Sequence, residues 1–311
     1  MRAFIFPGQG SQSVGMGWAL AEASAAARIL LEEVDDALGQ HLARLMAEGP
    51  EEDLILTENA QPAIMANSMA VLRVLEREAG LMLAEKADCV AGHSLGEYSA
   101  LAGAGSFDIA TTAQLLKLRG RSMQAAVPVG VGAMAALLGL ELDVVEAVAA
   151  EAARGEVCTA ANDNAPGQVV VSGHKGAVER AIEIAKARGA KRALLLPVSA
   201  PFHCMLMEPA ARAMEQALAE AEMGPSAVPL YANITAAPVD DPAEIRELLV
   251  QQVTGRVRWR ESVAAMAEAG VDHFVELGGK VLGPMVKRIA PDARITSVVS
   301  IEDVEALEKE I

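Results

Sequence analysis

Aromatic residues, cysteines and basic side chains are all scarce in this sequence. Only 3% of the 311 residues are aromatic, and there are three cysteines. Because Cys89, Cys158 and Cys204 are odd in number and lack the spacing of metal ligands, we expect reduced thiols, no metal site and a cytoplasmic protein. Lysine and arginine total 26 against 42 acidic residues, a formal net charge of −16. This charge argues against nucleic acids and anionic membrane surfaces as partners.

The sequence also lacks an apolar run long enough to suggest a membrane span. The apolar residues 1–6 are too few for a signal peptide, and Pro7-Gly8 follows them directly. The most apolar window, residues 127–140, contains three glycines and a proline. With 52% hydrophobic and 22% charged residues, the composition is that of a globular protein, and its length suits two domains or one large domain carrying an insertion.

Two glycine-rich segments resemble nucleotide-binding loops but each lacks a required glycine. In the segment that starts at Gly8, the third glycine of Gly-x-Gly-x-x-Gly would fall at position 13, which is Ser13. The phosphate-loop pattern before Lys280 would need glycine at position 274, which is Phe274. Neither segment predicts a nucleotide cofactor.

The strongest local signal is the segment from Val90 to Glu97, which contains Gly92-His93-Ser94-Leu95-Gly96. A short apolar strand precedes it and an alanine-rich helical run follows it, so the context is strand, sharp turn, helix. Such a turn exposes the serine hydroxyl and places the Leu95 N–H at a helix start, where it can stabilise a developing oxyanion. The pattern predicts Ser94 as a nucleophile, and the alternative is a buried capping serine.

The alternation of strands and helices predicts an α/β fold. The large part, residues 1–126 and 199–311, is expected to form an α/β-hydrolase-like core, with one amphipathic helix over about residues 18–48. Residues 127–198 show a β-α-β-β-α-β order, which predicts an inserted ferredoxin-like subdomain. Within it, residues 162–167 are expected to be a loop between two strands.

A serine nucleophile needs a base, and the sequence offers five histidines. His203 follows a strand at a turn, a position that commonly faces a cleft, and is favoured over His273, which lies in an apolar strand. His93 is expected to point away from its neighbour Ser94. His41 and His174 are expected at the surface.

Several motifs, in order along the chain, resemble the malonyl-CoA:acyl carrier protein transacylase family. The resemblance covers nearly the whole sequence and is carried by the following segments: Phe6-Pro7-Gly8-Gln9-Gly10-Ser11-Gln12, Gly92-His93-Ser94-Leu95-Gly96-Glu97-Tyr98, Arg119-Gly120-Arg121-Ser122-Met123-Gln124, Asn162 with Asn164-Ala165-Pro166-Gly167-Gln168-Val169-Val170, Pro201-Phe202-His203-Cys204, and Glu276-Leu277-Gly278-Gly279-Lys280-Val281-Leu282.

The resemblance implies a two-step acyl transfer from malonyl-CoA to the phosphopantetheine thiol of holo acyl carrier protein, through a malonyl ester on Ser94. It implies that His203 is the base and later the acid, and that the backbone N–H groups of Gln9 and Leu95 form the oxyanion hole. The backbone carbonyl of Gln252 is expected to orient His203 in place of a triad acid. No cofactor is implied, since both thioesters are substrates.

The resemblance also implies the residues that bind the substrate. Arg119 would pair with the free malonyl carboxylate, which suits a planar fork of N–H donors. His93, Asn162, Met123 and Phe202 would line the pocket, and the ring of Phe202 would narrow the space for an α-methyl branch. Asp163 departs from the family pattern, because it places a charge where an uncharged residue is expected.

Two other function classes use some of the same residues. A serine thioester hydrolase would pass the acyl group to water, but it has no need for Arg119. A non-catalytic carrier-binding subunit would have no need for Ser94 and His203.

An acidic carrier protein would need a local basic surface on this acidic chain. We expect a monomer that binds the carrier through one of two clusters, which are Lys186, Arg188, Lys191 and Arg192, or Arg256, Arg258 and Arg260.

Overall fold

The larger of two sheets has six strands. The computed structural model describes residues 1–311. Its strand order is β10-β9-β1-β2-β7-β8, and all neighbours are parallel except β7 and β8. The strands are β1 Arg2–Phe6, β2 Cys89–Gly92, β7 Leu230–Tyr231, β8 Pro238–Val239, β9 His273–Leu277 and β10 Arg294–Val298. The carboxyl ends of the parallel strands therefore share one edge of the sheet.

Helices cover both faces of this sheet, because its central strand is apolar on both sides. In β1, Phe4 and Phe6 belong to one buried cluster, whereas Ala3 and Ile5 belong to another that includes Trp259. The helices are α1 Trp18–Ala23, α2 Ala25–Leu38, α3 Leu42–Glu48, α4 Glu51–Leu54, α5 Thr57–Arg77, α6 Leu83–Lys86, α7 Gly96–Gly103, α8 Ile109–Ala125, α11 Glu208–Glu220, α12 Pro242–Thr254, α13 Trp259–Glu268, α14 Gly283–Ile289 and α15 Ile301–Glu308.

The smaller sheet is antiparallel and has four strands in the order β4-β5-β3-β6. Two helices pack on it, so the chain order is the predicted β-α-β-β-α-β. The elements are β3 Gly132–Leu138, α9 Leu142–Ala153, β4 Cys158–Ala165, β5 Gln168–His174, α10 Lys175–Ala187 and β6 Arg192–Leu195. The chain is thus a mixed α/β fold with a smaller subdomain, as expected.

The two parts meet where β4 runs beside the segment that precedes α13. Asn162 pairs with Val257 in a parallel bridge. The Val257 N–H donates to the Ala161 carbonyl, and the Asp163 N–H donates to the Val257 carbonyl, each over 2.9 Å. This junction brings β4 close to the carboxyl edge of the larger sheet.

Two local expectations were wrong. Residues 18–48 form three helices, because Ser24 is extended and caps α2, and Gly39 adopts a left-handed φ of 57° that ends it. Residues 162–165 are not a loop but the end of β4, and the connection to β5 is only Pro166-Gly167. Pairing with β5 and Val257 overrides the turn preference of asparagine and aspartate.

None of the helices combines the length and the apolar character that a membrane crossing requires.

Candidate active site

Ser94 lies on a tight turn between β2 and α7. Its φ is 54°, a left-handed conformation that is uncommon for serine. The turn is closely packed, since a Cβ on Gly92 would lie 1.9 Å from the carbonyl carbon of Gly96, and one on Gly96 would lie 2.3 Å from the Phe6 carbonyl oxygen. Only glycine fits at both positions. The turn presents the serine at the carboxyl edge of the larger sheet.

His203 is the histidine that the fold brings to Ser94. Its Nε2 atom lies 2.8 Å from Ser94 Oγ, and its Nδ1 atom lies 2.8 Å from the Gln252 carbonyl and 3.1 Å from the Gly255 carbonyl. Carbonyl oxygens only accept, so Nδ1 carries the proton and Nε2 can accept the serine proton. Burial, and then the charge of Arg119, lower the pKa of His203 to about 3. The ring is therefore a neutral base at neutral pH.

The other histidines have different surroundings. His273 begins β9, at the end of the sheet opposite Ser94, where its ring contacts Arg2 Nε and Thr296 Oγ1. His93 turns from Ser94, and its Nε2 lies 2.8 Å from Asn164 Oδ1. His41 is exposed before α3, and His174 Nδ1 accepts from the Val157 N–H.

Two backbone N–H groups beside Ser94 have no acceptor within the protein. They belong to Gln9, in the loop after β1, and to Leu95, which immediately precedes α7. The Gln9 side chain is held by Thr57 Oγ1 at 3.2 Å. Both N–H groups remain available to a substrate oxygen, which is the requirement for the predicted oxyanion hole.

Arg119 lies on α8 with only 1% of its surface exposed. Its Nη1 atom donates to Gln61 Oε1 over 2.8 Å, and its Nη2 atom donates to Gln252 Oε1 over 2.8 Å and to Ser94 Oγ over 3.1 Å. Its Nε atom is buried without a partner. No carboxylate forms an ion pair with this guanidinium, so its charge is open to an anionic substrate group.

A cavity of about 460 Å³ contains most of the predicted site residues. It lies between the two subdomains, with walls from both. Of the predicted residues, only Gln252 is absent from the wall. The residues of the wall are Gln9, Gly10, Gln12, Glu51, Ile55, Gln61, His93, Ser94, Leu95, Arg119, Met123, Met134, Asn162, Asn164, Val170, Leu196, Pro197, Val198, Phe202 and His203.

Sequence reasoning missed polar residues that support the site. Asn233 Oδ1 accepts from the Ser94 N–H and its Nδ2 donates to the Gly92 carbonyl, each over 2.8 Å. Since Asn233 comes shortly after the end of β7, its position at the carboxyl edge of the sheet was a usable signal. Gln61, which holds Arg119, lies within α5 and has no such signal.

Asp163, the charge that departs from the family pattern, is matched by a nearby arginine. Arg260 donates to both of its carboxylate oxygens, with Nε at 3.1 and 2.9 Å and Nη2 at 2.8 Å. The Asp163 side chain is 1% exposed and that of Arg260 is 32% exposed. This pair connects β4 of the smaller subdomain to α13.

A serine on a strand-turn-helix elbow, a neutral histidine and an open buried arginine together define a serine acyltransferase site for acidic acyl groups. Comparison with known proteins agrees, because a family profile described as "Acyl transferase domain" matches residues 3–280. The chain belongs to the acyl transferase family.

Similar proteins share a more specific name. The malonyl CoA-acyl carrier protein transacylase of Escherichia coli strain K12 is 47% identical over 291 residues, covering 92% of each chain. The acyl-carrier-protein-S-malonyltransferase of Bartonella henselae has a crystal structure that matches with a TM-score of 0.97 and 52% identity, over 99% of this chain and 98% of the other. The resemblance stated from the motifs is confirmed.

A third relative was solved together with its partner. It is described as a type II PKS acyl-carrier protein in complex with its malonyl-transacylase. It matches with a TM-score of 0.94 and 40% identity, over 100% of this chain and 99% of that chain.

Proposed function

We propose that this protein transfers the malonyl group from malonyl-CoA to the phosphopantetheine thiol of acyl carrier protein, as the names of its relatives state for them. The observation that carries the substrate class is Arg119, a buried guanidinium without a carboxylate partner, 3.1 Å from Ser94 Oγ. The malonyl carboxylate is separated from the thioester carbonyl by a single CH₂ group. When the thioester carbonyl lies at Ser94 Oγ, the carboxylate of the same malonyl group therefore lies beside Arg119.

The first half-reaction forms the acyl enzyme. Ser94 Oγ attacks the thioester carbonyl while His203 Nε2 takes the serine proton. The carbonyl oxygen becomes negative and is stabilised by the N–H groups of Gln9 and Leu95. The tetrahedral intermediate then breaks its C–S bond, and His203 returns the proton to the CoA sulfur, which leaves malonyl-Ser94 and free CoA.

The second half-reaction reverses these roles. The pantetheine thiol of the carrier gives its proton to His203, and its sulfur attacks the ester carbonyl of malonyl-Ser94. The C–O bond breaks, and His203 returns the proton to Ser94 Oγ. The Gln252 and Gly255 carbonyls hold the imidazole throughout and stabilise its protonated form.

A thioester hydrolase is the second candidate, because it would use the same serine and histidine. Arg119 favours the transferase, since a buried guanidinium serves an acidic acyl group and not thioesters in general. The similarity to transacylases over nearly the whole chain also favours the transferase.

Three further properties are inferred. The reaction needs no cofactor, since bond making and breaking involve only the substrates, Ser94 and His203. The proposed reaction uses Ser94, His203 and Arg119 of a single copy, so a monomer is sufficient for it. The three cysteines are unpaired, which fits a cytoplasmic protein.

Mass spectrometry of the intact protein tests the proposal. Incubation with malonyl-CoA should add one malonyl group, and addition of holo carrier protein should remove it and load the carrier. Release of the group as free malonate at the same rate without carrier would favour the hydrolase.

A further inference from the structure

Glu97 is a buried carboxylate that the acyl transfer steps do not use. It lies in the first turn of α7 and is 1% exposed. Its Oε1 atom accepts from the Asn233 N–H over 2.5 Å, and its Oε2 atom accepts from Gln252 Nε2. Each oxygen thus contacts a residue that itself contacts Ser94.

The orientation of the Gln252 carboxamide is determined by its other neighbours. Arg119 only donates, so Gln252 Oε1 must face it, at 2.8 Å. The Ser94 carbonyl only accepts, so Gln252 Nε2 must face it, at 2.9 Å. The second hydrogen of Nε2 then points to Glu97 Oε2, which must accept.

Both oxygens of Glu97 therefore face donors, an arrangement that fits the ionised carboxylate. A buried guanidinium is costly unless its charge is compensated. An acid paired directly with Arg119 would compensate it but would also compete with an acidic substrate. The Gln252 carboxamide lies between Arg119 and Glu97. Glu97 can therefore compensate the charge of Arg119 without competing with an acidic substrate.

We propose that Glu97 is a positioning residue that balances the charge of Arg119 through the Gln252 carboxamide and so leaves the guanidinium open to a substrate carboxylate. This inference rests on the proposed function only for the identity of that carboxylate. We call the chain Arg119–Gln252–Glu97 the relay.

The charge of the relay depends on pH. Burial raises the pKa of Glu97 to about 8, against the opposing effects of the Asn233 and Gln252 hydrogen bonds and of the Arg119 charge. The ionisable groups that face it are Arg119 and Tyr98, and burial raises the pKa of Tyr98 to about 12. Most Glu97 side chains are therefore ionised at pH 9 and most are protonated at pH 7, while Tyr98 is neutral at both.

A double-mutant cycle on the ligand-free protein tests the relay. At pH 9, Glu97→Gln should change the Tm less favourably in the wild-type background than in the Arg119→Met background, by about 3 °C or more, since only the wild-type background keeps a guanidinium that loses its counterion. The difference between the two backgrounds should be smaller at pH 7. Equal losses in both backgrounds at pH 9 would overturn the proposal.

A second measurement does not depend on the folding of Glu97→Gln. Infrared titration of the carboxyl band should detect a buried group that ionises near pH 8 in the wild type and at higher pH in Arg119→Met. An unchanged midpoint in Arg119→Met would mean that the two charges are not coupled.

The increase in Tm on ligand binding distinguishes a positioning role of Glu97 from a purely structural one. Malonyl-CoA should raise the Tm of Glu97→Gln by more than it raises that of the wild type, because the malonyl carboxylate replaces the lost charge, whereas acetyl-CoA should raise both equally. Equal protection by both ligands would contradict the relay. Because the cycle needs no substrate, failure of malonyl transfer and failure of the relay give different results.

Discussion

Arg119 Nη2 donates a hydrogen bond to Ser94 Oγ over 3.1 Å, so the proposed nucleophile and the charge proposed to select its substrate are in direct contact. Burial lowers the pKa of Arg119, and a guanidinium keeps its charge in proteins. The contact therefore joins a cation to the reacting oxygen. It explains how a short acidic acyl group can be recognised at both ends.

Malonyl-CoA should label Ser94 and no other residue. The competing nucleophile nearest in sequence to the base is Cys204, but burial raises the pKa of its thiol, and its Sγ donates to the Pro201 carbonyl. Tandem mass spectrometry of the labelled protein locates the group. Ser94→Ala should remain unlabelled, and a malonyl group found on Cys204 would refute the assignment.

Arg119→Ala should separate malonyl from acetyl transfer. Loss of one partner of a buried charge pair costs about 2 to 5 kcal/mol, or roughly 30-fold to several thousand-fold in kcat/KM for malonyl-CoA. Acetyl transfer should stay level or rise, because acetyl-CoA has no carboxylate. Arg119→Lys should restore malonyl transfer only in part, since an ammonium lacks the fork. A parallel fall for both substrates would show that Arg119 is structural.

Activity should be insensitive to pH across the usual range of histidine titration. The pKa of His203 is lowered from 6.5 to about 3, so the ring remains an unprotonated base as the pH falls from 7 to 5. The value of kcat/KM for malonyl-CoA should change little over this interval and decline only at lower pH. A half-loss centred near pH 6.5 would show that His203 titrates normally.

The carrier should bind at the first of the two basic clusters. In the second cluster, all three arginines are paired, with Glu146, Glu261 and Asp163. In the first, Lys191 and Arg192 are exposed and lack ion-pair partners. They adjoin Leu194 and Leu195, which are 46% and 49% exposed, and the chain then enters the cavity wall at Leu196.

Reversal of both charges, Lys191→Glu with Arg192→Glu, should therefore raise the KM for the carrier about tenfold and leave the KM for malonyl-CoA unchanged. The control, with the same change in net charge, is Lys287→Glu with Arg288→Glu on α14, which packs against β4 at the opposite edge of the smaller sheet. If the control raises the carrier KM as much, the effect is one of net charge and not of a docking surface.

Replacement of Arg260 should destabilise the protein more than replacement of its partner Asp163. Arg260→Ala leaves a carboxylate buried without a partner and should lower the free energy of unfolding by about 3 kcal/mol or more. Asp163→Asn leaves an arginine that water reaches and should cost about 1 kcal/mol. Denaturant unfolding measures both. Equal costs would mean that burial of Asp163 is not the cause.

The elbow could be predicted because its cause is local. Apolar residues before Gly92, a small helix-forming run after Gly96 and the two glycines themselves are the local signals that predict the turn. The β-α-β-β-α-β order of the smaller subdomain could likewise be predicted from the sequence. The extension of β4 through Asn162 and Asp163 was not, since it depends on pairing with Val257, far along the chain.

The sequence by itself determined the fold class and the family, and it predicted the nucleophile and, through motif resemblance, the base and the arginine. Only the tertiary structure decided how Arg119, Gln252 and Glu97 are connected, and that Asn233 holds the elbow. The physical reason is that hydrogen bonds depend on position and direction. Residues from α7, α8, α12 and the segment after β7 meet only when the parallel sheet brings its carboxyl ends to one edge.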